Sequence, residues 1–464
     1  MSLRNRFSFD LNRFQEAVDA LDRKDLVGSI FDDLTVLDDS FDRGVIGIYG
    51  SWGAGKSHVL AQVIKACVDN NHNHENVYII PCIFQAWKYE TEGDLAPGLI
   101  RSLLKLADND YLHGKLSLWD GNKSKDEFKK IGKELLNIVL ELSIPLIPGV
   151  QAFSTALIRF SKKVSDGSID ALQKQPGEEE AAIDKVQTKM QELVKSILNQ
   201  ATQVNPHRQY RLVVFVDDLD RCSPKNMVRL FEWLKNHLLV ENCVYVLGLD
   251  HMAAARAVVG EYKNYLSEED SKDLAYGLRY LEKLVDSEYE LAPSEMLEKM
   301  AIQTIYTLES EYYQCKDLKE LATRVAGQDF AGISLVSDLI KLECLRTPRT
   351  VLKIMTKFAR VITICRKPEW EDKLQNVKEY PFWILFLTAM YYQLSPDELI
   401  GFVEGKSKLY DLMRGGDRNV EPNVKGPRAN FADFAFNFNR ATGGKVGVPD
   451  QERRQMLWKL VTQS

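Results

Sequence analysis

The chain has 464 residues, enough for two to four domains at roughly 100–200 residues each. Hydrophobic residues make up 45% and charged residues 27%, which excludes a disordered tail or a fibrous repeat. The 60 Lys plus Arg stand against 66 Asp plus Glu, a net charge of -6, so the surface as a whole is not built to hold a polyanion; the seven cysteines form no CxxC and fit a reducing compartment.

Along residues 10–40, Phe14, Val18 and Leu21, then Leu26, Ile30 and Leu34, recur at helical spacing. Met1 to Phe7 lacks the apolar core of a secretory signal, so a soluble cytoplasmic chain is expected. Val45-Ile-Gly-Ile-Tyr49 is apolar and β-branched and stops at a glycine cluster, as a buried strand entering a tight loop does. Ser57–Val68 reads as helix. Further strands are expected at Val77–Phe84, Arg211–Val216 and Cys243–Leu249, with a weaker fifth at Ser287–Leu291. Apolar strands alternating with helices predict an α/β fold with a parallel sheet covered on both faces.

More than a hundred residues between the second and third strands lack sheet character. Phe128–Ser143 reads as an amphipathic helix with Ile131, Leu135, Ile138 and Leu142 in register, and Val150–Val164 as another with Phe153, Leu157 and Phe160. Pro176-Gly-Glu-Glu-Glu180 opens a third, with Ile183, Val186, Met190, Leu193 and Ile197 on its apolar face. Beyond residue 292 the pattern is mainly helical, including the apolar Tyr380–Phe386 and a terminal helix at Gln451–Val461; residues 414–449, rich in Gly and Pro, read as loop. The expected domains are a split nucleotide-binding core at 1–110 and 206–292, a helical insertion at 111–205 and a helical C-terminal domain at 293–464.

Leu142–Ile158 is a run of 17 uncharged residues followed by Arg159, Lys162 and Lys163, the length and flank of a membrane span. Pro145, Pro148 and Gly149 interrupt it, so a packed soluble hairpin is expected rather than insertion. Lys123, Lys125, Lys129, Lys130 and Lys133 add to a positive base that could meet anionic lipid or nucleic acid, but a solvated helix face is the plainer account and the one expected. His72-Asn-His74-Glu75 lacks a third metal partner and reads as loop.

Gly50-Ser51-Trp52-Gly53-Ala54-Gly55-Lys56-Ser57 matches the phosphate-binding pattern G-x-x-x-x-G-K-[ST], with a strand before it and a helix after. Its glycines let successive N–H groups face a phosphate, and the helix that starts there, through His58, adds its positive end. In this reading Lys56 neutralises the β- and γ-phosphates and the Ser57 hydroxyl is a Mg²⁺ ligand. Trp52 packs against nucleotide, a neighbouring subunit or the loop itself.

Val213-Val-Phe-Val-Asp217-Asp218-Leu219-Asp220 is an apolar strand ending in carboxylates. Asp217 is placed to hold Mg²⁺ and Asp218 to orient or deprotonate the attacking water, where many ATPases carry Glu. Asp250 ends the next strand and can contact the γ-phosphate, cap the following helix, or both. There is no N-K-x-D for guanine, so ATP is the expected nucleotide, and a strand inserted between the P-loop strand and the acidic strand is expected, as in the ASCE division.

These motifs resemble the KAP P-loop NTPases, predicted ATPases common in bacteria. The likeness is carried by Asp19–Arg23, Ile46–Ser57, Phe84-Gln-Ala-Trp87-Lys-Tyr89, Val216-Asp-Asp-Leu-Asp-Arg-Cys222 with Pro224, Arg279-Tyr-Leu-Glu-Lys283 and Thr347-Pro-Arg349. The resemblance implies a helical insertion at the site where many members carry transmembrane helices, and a context of defence against phage and plasmids. Arg279 could act as a finger in a neighbour's site and Arg349 as a sensor of nucleotide, with surface salt bridges the plain alternative; Arg221 and Arg346 are further candidates. The expected function is an ATP- and Mg²⁺-dependent switch controlling self-association or assembly with a separate effector. Alternatives are a nucleotide-binding scaffold with little turnover and a DNA-dependent ATPase, although nucleic acid is not required.

Overall fold

Four apolar segments and one short polar one pair side by side, and the β-branched side chains of the four are buried apart from the half-buried Ile83. The computed structural model describes residues 23–35, 43–72, 77–108, 119, 122–143, 178–204, 209–265, 274–291, 347–365, 370, 373–374, 380–393, 396–407, 410 and 448–463. The strands are β1 (Arg43–Tyr49), β2 (Val77–Gln85), β3 (Gln209–Asp217), β4 (Cys243–Leu249) and β5 (Ser287–Glu290). All pair in parallel, in the order β2-β3-β4-β1-β5. Thus β4 lies between the P-loop strand β1 and the acidic strand β3, as expected of the ASCE division. All seven residues of β4 are buried, as its central place requires.

Parallel pairing needs crossovers, and helices supply them. Those described up to residue 291 are α1 (Lys24–Thr35), α2 (Lys56–His72), α3 (Ala96–Leu104), α4 (Asn122–Ser143), α5 (Glu178–Val204), α6 (Pro224–Trp233), α7 (His251–Tyr262) and α8 (Ala275–Glu282). Helix α6 runs on into a π turn at Leu234–Leu238. Between β2 and β3, α4 packs on α3 and α5, and α5 returns the chain to β3.

Helix α4 buries Phe128, Gly132, Leu135 and Val139, whereas Ile131, Ile138 and Leu142 are half-buried. The buried stripe is therefore rotated by one residue from the one that the apolar spacing predicts. Gly132 explains the rotation: a Cβ there would lie 2.3 Å from Leu104 Cδ2. The helix docks where its own side chain is missing. Helix α5 buries Val186, Met190, Leu193 and Ile197 as expected.

The chain divides into two compact units, one running through Leu291 and one from Ala292, with Gly53–Gly55 counted with the second. The second contains α9 (Pro348–Cys365), α10 (Tyr380–Gln393), α11 (Pro396–Glu404) and α12 (Gln451–Gln463). Val351, Ile354, Met355, Phe358 and Ile362 form the buried stripe of α9. Trp383 to Met390 are buried without interruption, so α10 runs through the middle of this unit. Arg454 of α12 is buried, donates to the Val403 carbonyl at 3.1 Å and lies over the Tyr410 ring.

No helix among the described residues is long and apolar enough to cross a membrane. The uncharged run beyond Ser143, the predicted helix at Val150–Val164, Asp19–Asp22, Asn73–Glu75, Arg346 and most of the Gly/Pro-rich segment lie outside the described residues.

Candidate nucleotide site

The site is assembled at the C-terminal ends of β1, β3 and β4, where the β1 chain must turn sharply into α2. The Gly50 N–H donates to the Leu249 carbonyl at 3.2 Å, tying the start of the loop to β4. The backbone then passes through Gly53 at φ +90° and Gly55 at φ +96°, left-handed conformations that an L side chain disfavours. Helix α2 begins at Lys56, so a helix N-terminus stands directly behind the loop.

Lys56 is buried, with its Nζ donating to the Gly50 carbonyl at 2.8 Å and the Ser51 carbonyl at 3.2 Å. One residue on, Ser57 Oγ donates to Asp217 Oδ1 at 3.0 Å. The hydroxyl and the carboxylate that were expected to share a cation are thus in contact. Asp217 is 3% exposed. Burial pushes its carboxyl up to about 6, the neighbouring Asp218 and then Asp220 add to the rise, and hydrogen bonds from Ser57 and the Asp218 N–H oppose it. A buried carboxylate held unfavourably ionised, beside a hydroxyl, is a donor set suited to a hard divalent cation. The glycine turn, the lysine and this pair together fit a nucleoside polyphosphate with its metal.

Asp218 sits at φ +59°, a strained conformation for a non-glycine residue. Its Oδ1 is held by Arg221 Nε at 2.8 Å, and the Arg221 guanidinium lies 5.8 Å from the Trp87 ring centroid. The turn is braced from the 3₁₀ segment Ala86–Glu92 that follows β2: Glu90 Oε1 accepts the Ser223 N–H at 2.9 Å, and the Glu90 carbonyl accepts from Asn226 Nδ2 at 3.2 Å. Burial opposes ionisation of Glu90, but hydrogen bonds from Ser223, Asn226 and Cys222 outweigh it and hold the carboxyl below its ordinary range. Ser223 caps α6, with Pro224 in its first turn.

The other expected residues are dispersed. Asp250 caps α7, its Oδ1 accepting the Ala253 N–H at 3.1 Å, which is the structural half of the two roles considered for it. Ser51 and Trp52 are exposed, Trp52 by 67%; Ala54 is buried and His58 half-buried in the first turn of α2. Arg279 is exposed on α8, just before β5. Arg349 is the second residue of α9, in the other unit.

Sequence reasoning missed Asp220 as the partner of Lys56 (Oδ2 to Nζ, 2.8 Å), although it stands in the quoted acidic segment. It also missed Glu90, one residue beyond the quoted Phe84–Tyr89 stretch. A third omission is Asp94, 1% exposed, which pairs with Arg229 at 3.0 Å, accepts from Trp233 Nε1 and accepts the N–H of Ala96, the first residue of α3.

This sheet order, with the glycine turn and lysine on one strand and the buried aspartate two strands away, defines a P-loop NTPase. The KAP family P-loop domain matches residues 35–364, and the chain belongs to that family. An uncharacterized protein of Methanocaldococcus jannaschii is 27% identical over 169 residues, 33% of this chain and 80% of that relative. Nucleotide binding follows from the family and is what the site's geometry suits.

Proposed function

We propose that the chain is an ATPase that uses Mg²⁺ and acts as a switch, its nucleotide state governing association with itself or with a separate effector protein. The observation that carries this reading is the Ser57–Asp217 contact beside the buried Lys56. When bound, Mg²⁺ would supply charge neutralisation between the β- and γ-phosphates, with Ser57 and Asp217 holding it directly or through water. Lys56 would orient and neutralise the phosphates, and Asp218 would position the attacking water. The preference for ATP rests on the missing guanine motif, and a place in antiviral defence rests on family likeness alone.

One observation favours a second reading, a scaffold that holds nucleotide with little turnover: Asp218 is engaged by Arg221. Phosphate release from ATP by the purified chain separates the two. Under the switch reading, turnover is measurable and depends on Mg²⁺, and Asp218→Asn removes it while nucleotide still binds. A near-zero wild-type rate that Asp218→Asn leaves unchanged establishes the scaffold.

A further inference from the structure

The carboxylate of Asp220 has no part in the mechanism outlined above, yet it occupies the most valuable position in the site. It stands in the 3₁₀ turn Leu219–Arg221, with Oδ2 2.8 Å from Lys56 Nζ, and the two side chains are only 8% and 7% exposed. That oxygen accepts no hydrogen bond among the described residues, so the ion pair is its one polar contact there. Lys56 Nζ also donates to the Gly50 and Ser51 carbonyls, so the ammonium group is held on three sides, by two hydrogen bonds and one ion pair. A phosphate cannot take Lys56 until this ion pair opens.

Opening it has a cost set by the surroundings. Asp217, Asp218 and Asp220 lie within four residues, and Asp217 already feels the charge of both others. A released Asp220 leaves its cation and remains beside the incoming polyanion, in a region with little water to screen it. We infer that Asp220 is a positioning residue that clamps Lys56 and competes with phosphate for it, so that a phosphate chain binds the loop only by displacing this carboxylate. This rests on the nucleotide reading of the loop.

The test is calorimetric titration with inorganic triphosphate, in EDTA so that metal ligation does not enter, with thermal melts to confirm folding. Asp220→Asn keeps the shape and removes the charge; Asp220→Ala also removes any hold an amide keeps on the lysine. Under the clamp, at least one of them binds triphosphate about tenfold more tightly than wild type. Asp218→Asn removes the same charge from the same turn without touching Lys56, and gains less than about threefold. Wild-type binding with no tightening in either Asp220 variant overturns the clamp alone, as does an equal gain in Asp218→Asn. No binding of triphosphate by any of the four proteins overturns the nucleotide reading and the clamp with it.

Discussion

Asp217→Asn should make the protein more stable while disabling its site. The carboxyl is buried and lies at about 6 in the folded chain, against an ordinary 3.8. Such a group contributes stability fully below 3.8 and loses it as pH rises through about 6, because the folded state holds the proton more tightly than the unfolded chain. At neutral pH the ionised form therefore costs the fold about 3 kcal/mol. An amide of the same shape still accepts from Ser57 Oγ and carries no charge, but its own N–H groups need partners; the net gain is about 1–3 kcal/mol above pH 7.

The assay is a set of thermal melts of wild type and Asp217→Asn in EDTA between pH 5 and pH 8.5. The variant should melt a few degrees higher at pH 8. The gap should widen by about 1 kcal/mol between pH 5 and pH 7.5 and then stay flat, since other carboxylates titrate alike in both proteins. Added Mg²⁺ should raise the wild-type midpoint at pH 8 and leave the variant unmoved. A variant less stable than wild type at pH 8, or a gap that ignores pH, would refute the reasoning.

Arg229→Ala leaves Asp94 with its charge buried and its cation gone, which should cost about 3–5 kcal/mol in urea unfolding; adding Asp94→Asn should recover part of that loss. Gly277→Ala places a Cβ 2.2 Å from the Ala255 carbonyl oxygen, where α8 crosses α7. Overpacking should outweigh the better helix propensity and lower stability by about 1–3 kcal/mol, read as a lower thermal midpoint. Arg279→Ala should abolish phosphate release from ATP while leaving nucleotide affinity intact, since the side chain stands exposed on α8; unchanged turnover removes the finger role.

Four of the strands were legible because they are apolar, as double-sided burial demands, whereas β5 is polar and partly exposed and gave the weaker signal. β4 begins and ends where the hydrophobic run Cys243–Leu249 does, and β1, β2, β3 and β5 differ from expectation by only one or two residues at each end. The face of α4 was not legible, because a count of apolar residues ignores the residue that helix packing favours most at a close crossing. Gly132 contributes nothing to an apolar count and yet fixes the contact with Leu104.

The candidate site divides along a similar line. Lys56, Ser57 and Asp217 were readable because each role needs one residue type at one offset from a strand end, and strand register then brings the offsets together: β1 and β3 each pair with β4. Asp220 obeys no such rule. Its direction is set by a tight turn that starts with Asp218 in a left-handed conformation, and a positive φ at an aspartate is not written in the spacing of D-D-L-D. Nor is the brace from Glu90, which reaches Ser223 from a residue 133 positions away. The residues that the phosphate-binding motif brings together are thus found from motif and register. Those that hold the chemistry in check are found only when the turns are seen, and in this chain the check is a carboxylate already seated on the lysine that a phosphate must claim.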